Sequence, residues 1–102
     1  MKPNKEQTEI TIDTIVQRNT EQEFSIVDDE VVMFSPENGE YYSLNTIASR
    51  IWELIQDKIE VKALTDLLLQ EFEVKQETCI NDTIECLNSF KKRSIIKTEK
   101  VD

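Results

Sequence analysis

Val31-Val32-Met33-Phe34-Ser35-Pro36-Glu37-Asn38-Gly39-Glu40-Tyr41-Tyr42-Ser43-Leu44 is the stretch that decides the fold. Two apolar, β-prone runs flank a polar hexapeptide in which Pro36 sets the first corner and Asn38-Gly39 take the positive φ of a tight turn. The pattern predicts an antiparallel hairpin. With Phe34 opposite Tyr41, alternation puts Val31, Met33, Tyr42 and Leu44 on one face and Val32, Phe34, Tyr41 and Ser43 on the other. The first set suits a core, and the second leaves aromatic rings partly exposed.

Upstream, β-branched residues alternate at period two from Ile10 to Val16, which predicts a first strand. Asn19 to Glu23 is a polar connector, and Phe24-Ser25-Ile26-Val27 is apolar enough to be tied back to the body. Downstream, Asn45 suits a helix N-cap, and Ile47, Ala48, Ile51, Trp52 and Ile55 follow at helical spacing to about Gln56. Leu64, Leu67, Leu68 and Phe72 mark a second helix over roughly Val61 to Phe72. Cys79, Thr83, Cys86, Leu87 and Phe90 form the main stripe of a third, Gln76 to about Lys92, after which Ile95-Ile96 closes the domain. The expected fold class is α+β, a three-stranded antiparallel sheet followed by three helices. The domain spans residues 10–98, between an N-terminal tail over 1–9 and a C-terminal tail over 99–102.

A chain of 102 residues fits one compact domain and leaves no room for a second lobe. No apolar run approaches the roughly 20 residues that span a bilayer, and Met1 to Gln7 lacks the apolar stretch of a secretory signal, so a cytoplasmic protein with no membrane partner is expected. Net charge is -9, from 21 acidic and 12 basic residues, which disfavours a phosphate backbone as partner. Cys79 and Cys86, seven positions apart on one helix, would sit about 10 Å from each other, beyond disulfide reach. There is no histidine, so no metal or other cofactor is expected.

Nothing in the chain resembles a nucleophile with its base or a glycine-rich phosphate loop, and no catalytic residue is assigned. Asp28-Asp29-Glu30 reads as a solvated turn between strands. Three features stand out, each with an ordinary explanation beside it. Glu40 to Leu44 is a candidate sheet edge, open to an added strand or simply protected by Glu40 and twist. Ile80 and Ile84 widen the apolar face of the third helix, either as a groove or as more core. Tyr41 and Tyr42 point to opposite faces, so one of them is either a binding anchor or a common surface tyrosine.

The stretch Ser35 to Asn45, followed by Ile47-Ala48-Ser49-Arg50-Ile51-Trp52-Glu53-Leu54, resembles the PqqD-like family, the recognition elements for ribosomally made, post-translationally modified peptides. The similarity continues through Val61, Leu64, Phe72, Val74, Asp82, Leu87, Phe90 and Ile95. It looks most like the discrete leader-peptide-binding proteins of lasso-peptide biosynthesis. The resemblance implies a winged-helix-like domain without catalytic function, in which a leader peptide adds to Glu40, Tyr41, Tyr42, Ser43 and Leu44 and lies against Ile80, Thr83, Ile84 and Leu87. An aromatic residue and a proline of the leader would fill a pocket between Phe34 or Tyr41 and the third helix. Implied partners are a separate cysteine protease that cuts the leader and a cyclase. Ser94 departs from the family, where glycine is common. Two alternatives stand beside this expectation: a PqqD-like peptide chaperone for a radical SAM or other modifying enzyme, and a winged-helix nucleic-acid binder. The second needs a basic face, whereas the third helix carries Glu77, Asp82 and Glu85.

Overall fold

In the computed structural model, which describes residues 9–35 and 39–100, the chain forms nine elements. They are β1 (Ile15–Arg18), β2 (Phe24–Val27), β3 (Glu30–Ser35), β4 (Glu40–Ser43), α1 (Thr46–Leu54), β5 (Ile59–Glu60), α2 (Val61–Glu71), α3 (Gln76–Lys92) and β6 (Ile96–Glu99). The fold is α+β with two antiparallel three-stranded sheets, ordered β5-β1-β6 and β2-β3-β4. The expected order of strands followed by helices is therefore corrected: β5 lies between α1 and α2, and β6 follows α3. Both returning strands pair with β1, Ile15 opposite Glu60 on one side and opposite Glu99 on the other. Glu99, assigned to the tail by sequence, is the last residue of β6.

The hairpin register is the expected one, with Phe34 opposite Tyr41 and Met33 opposite Tyr42. Gly39 has φ +69, while Pro36 and Asn38 lie outside the described residues, as does the tail over residues 1–8. The β2–β3 turn is shorter. Val27 pairs with Glu30, and Asp28 and Asp29 both take positive φ, 52 and 69, which is the two-residue type I′ geometry that follows strand twist.

The first strand starts five residues later than the alternation suggested. Thr11 and Thr14 fold the chain into a turn, with Thr14 N–H donating to the Thr11 carbonyl at 3.1 Å and Thr11 N–H donating to Thr14 Oγ1 at 2.9 Å. Local side-chain bonding of this kind competes with a ladder. The turn also serves α2, whose N-cap Glu60 makes no side-chain bond. Val61 and Lys62 instead donate to the carbonyls of Thr14 and Ile12, both at 2.9 Å, satisfying two of the free amides of a helix start.

Trp52 is fully buried near the middle of the core, edge-on to Phe24 at 5.8 Å and to Phe90 at 5.7 Å. Arg18 covers this cluster: its guanidinium carbon lies 4.9 Å from the Phe24 centroid and 5.3 Å from that of Trp52, and its Nη1 donates to the Trp52 carbonyl at 3.2 Å. On the outside, Arg50 bridges α1 to α2 through paired 2.8 Å bonds to the Glu71 carboxylate. Val16, Met33, Ile51, Leu64 and Leu87 are buried in the same core. No helix among the described residues is long and apolar enough to cross a membrane.

Candidate peptide-binding groove

β4 is the last strand of its sheet, so one side of its backbone has no strand partner among the described residues. Which groups face that side follows from the ladder. Leu44 N–H donates to the Val31 carbonyl at 2.8 Å, and in an antiparallel pair hydrogen-bonded positions recur every second residue. Glu40, Tyr42 and Leu44 therefore turn their amides and carbonyls toward β3. Tyr41 and Ser43 turn theirs outward.

Beside this edge runs a groove of about 540 Å³ between β4, the start of α1, and α3. Tyr42, Ser43, Leu44, Asn45, Ile47 and Ala48 line one side. Asp82, Glu85, Cys86, Ser89, Phe90 and Arg93 line the other. The wall holds its place through three local devices. Asn45 caps α1 as expected, accepting from Ala48 N–H at 2.8 Å. Ser49, buried, accepts from Val31 N–H at 2.9 Å and donates to the Leu44 carbonyl at 3.1 Å, clamping α1 to the end of the hairpin. The Tyr42 hydroxyl meets Met33 Sδ at 3.4 Å, and the Arg93 guanidinium lies over the Tyr42 ring. Burial pushes the Tyr42 phenol up from its ordinary pKa, and the nearby Arg93 charge opposes that shift.

The expected site residues separate into three groups. Glu40, Tyr41 and Ser43 are exposed on β4, with Tyr42 half-buried beside them and Leu44 buried against the hairpin end. Phe34 and Tyr41 pair with each other, centroids 5.0 Å apart, on the sheet face opposite Tyr42 and outside the groove lining. Strand alternation turns those rings away from α3, and the cavity they line is shared with Phe24, Val27 and Val32 rather than with the third helix. On α3, Thr83 and Leu87 are 1% and 0% exposed and belong to the core, while Ile80 and Ile84 are half-buried. At about 100° per residue, Ile80 and Ile84 project from roughly the opposite flank of the helix to Asp82, Cys86 and Ser89. The helix wall of the groove is polar where an apolar one was expected.

Cys86, not expected at the site, lines the groove, and removal from water pushes its thiol up to about 12. Both cysteines are free, Cys79 buried and Cys86 half-buried. No cluster of three or more His, Cys, Asp or Glu suited to a metal occurs among the described residues.

Residues 30–96, which hold the hairpin, all three helices and the start of β6, match the family described as Coenzyme PQQ synthesis protein D (PqqD). The chain belongs to the PqqD family. No curated protein matches it. Among solved structures, this PqqD-family chain is similar to "TbiB1 in Complex with the TbiA(beta) Leader Peptide", at TM-score 0.69 and 23% identity over 84% of this chain and 99% of that one. It is also similar to "Lasso peptide synthetase B1 complexed with the leader peptide", at TM-score 0.68 and 22% identity over 80% of this chain and 96% of that one. At these identities the likeness shows a shared fold.

Proposed function

We propose that this PqqD-family protein binds the leader segment of a ribosomally made precursor peptide by strand addition and presents it to separate enzymes. The observation that carries the proposal is the open edge of β4 next to the α3 groove. The outward amides and carbonyls of Tyr41 and Ser43 are main-chain groups that an extended peptide pairs with regardless of its sequence. The groove beside them then receives the side chains that an added strand points inward. Both similar solved structures are complexes with leader peptides, which supports the same class of ligand here.

In this reading the domain is winged-helix-like, cytoplasmic and an adaptor, and a cysteine protease and a cyclase do the covalent work on a lasso-peptide precursor. The family's own description, coenzyme PQQ synthesis, supports a second reading in which the same edge serves a different modifying enzyme. Binding of the protein to a leader protease, or to a radical enzyme instead, separates the two.

Titration of the synthetic leader of a candidate lasso-peptide precursor tests the proposal. Ser43→Pro removes an outward amide without touching the β3 ladder, so it is expected to weaken binding about tenfold or more while the fold is kept. Equal affinity of folded Ser43→Pro and unaltered protein overturns strand addition at β4. Leu87→Asp is unsuitable as a groove probe, because it buries a carboxylate in the core. Ser89→Trp, exposed on the groove wall, blocks the groove instead.

A further inference from the structure

We infer that the groove reads the order of charges along its peptide, accepting an extended segment with an acidic side chain at its Tyr42 end and a basic one about four residues away. The inference rests on the peptide-binding reading above and names the class of sequence that the site selects. Among the residues lining the groove, Arg93 is the only base and Asp82 and Glu85 are the only acids. They are not mixed. Arg93 is anchored at the strand, its guanidinium carbon 4.1 Å from the Tyr42 centroid. Asp82 and Glu85 sit in the middle of α3, about 16 and 12 Å from Arg93 along the helix at about 1.5 Å per residue.

All three side chains are exposed, and none is in a salt bridge among the described residues. The same groove is lined by Ile47, 41% exposed, by Ala48 and by the desolvated Cys86 thiol. An added strand rises about 3.3 Å per residue and turns every second side chain to the same face. Positions i, i+2 and i+4 of the peptide therefore face the groove and span about 13 Å, close to the roughly 12 Å rise of α3 between Glu85 and Arg93. An acid at one end pairs with Arg93, an apolar side chain in the middle meets Ile47 and Ala48, and a base at the other end pairs with Glu85 or Asp82. The net charge of -9 attracts basic peptides to the surface in general. Only the placement of Arg93 gives the attraction a direction.

Charge-swap cycles with the synthetic leader of a candidate lasso-peptide precursor test this, with circular dichroism as the control for folding. Arg93→Glu and Glu85→Lys are each expected to weaken binding about three- to tenfold. Affinity is expected to return when one leader acid is changed to lysine for the first variant, and when a leader base four residues from it is changed to glutamate for the second. Binding within twofold of the unaltered protein in both variants overturns the inference and leaves leader capture intact. Rescue at any other spacing also overturns it. A leader with no affinity for the unaltered protein overturns the capture reading, and the charge order falls with it.

Discussion

The Arg93 guanidinium carbon lies 4.1 Å from the centroid of the Tyr42 ring, tying the end of α3 to the edge strand of the sheet. The Tyr42 hydroxyl also donates to the Met33 thioether sulfur at 3.4 Å. Tyr42→Phe loses only the weak hydroxyl–sulfur bond and keeps the ring and the cation-π contact, so stability and leader affinity are expected to stay close to those of the unaltered protein. Tyr42→Ala loses both contacts. It is expected to cost about 1–3 kcal/mol in urea denaturation and to weaken leader binding severalfold.

Ser94 adopts φ 63, in the left-handed region that costs a residue with a side chain about 1–2 kcal/mol. It occupies the position just beyond the α3 cap, where Ser94 N–H donates to the Lys91 carbonyl and Ile95 N–H to that of Phe90, at 2.9 and 3.1 Å. This is the paired bonding of a Schellman motif, normally built on glycine. Ser94→Gly is expected to stabilise the fold by about 1 kcal/mol, seen as a rise of roughly 4–8 °C in Tm. An unchanged or lower Tm counts against it.

Ser49→Ala removes the clamp between α1 and the hairpin and leaves the Val31 amide without its acceptor. The expected cost is about 1–3 kcal/mol. Amide exchange is expected to show faster loss of protection at Val31 and Leu44 than in α2, because the break is local to the groove wall.

Cys86 gives stability a pH dependence at the alkaline end. Its thiol titrates at an ordinary 9.0 when unfolded and is pushed up to about 12 in the fold. Between those values the folded chain holds a proton that the unfolded chain has lost. Its contribution is therefore complete below pH 9 and falls by up to about 1.4 kcal/mol per pH unit as pH rises toward 12. Denaturation midpoints of Cys86→Ala are expected to fall less steeply over that window than those of the unaltered protein.

The hairpin and the helices were legible because their signals are local. Alternation fixes which face Met33 and Tyr42 share, and an apolar spacing of three and four residues marks α1, α2 and α3 almost to their observed ends. β5 and β6 were not legible. Ile59–Glu60 and Ile96–Glu99 are short, and they become strands only because β1 lies between them to pair with both. Thr11–Thr14 misled in the other direction, since residues with high strand propensity close a turn when their hydroxyls bond the nearby backbone.

The amino-acid sequence by itself determined the edge strand and its register, the helix cap at Asn45, and the apolar stripe that builds the core. It also carried the family resemblance. Only the tertiary structure decided which flank of α3 faces that edge. A stripe of Cys79, Thr83, Leu87 and Phe90 requires burial, but helical periodicity is equally consistent with a groove on either side of it. Packing resolved the choice: Phe90 against Trp52, Arg93 against Tyr42, and α3 against α2 bring Asp82, Glu85 and Ser89 to the groove and turn Ile80 and Ile84 away.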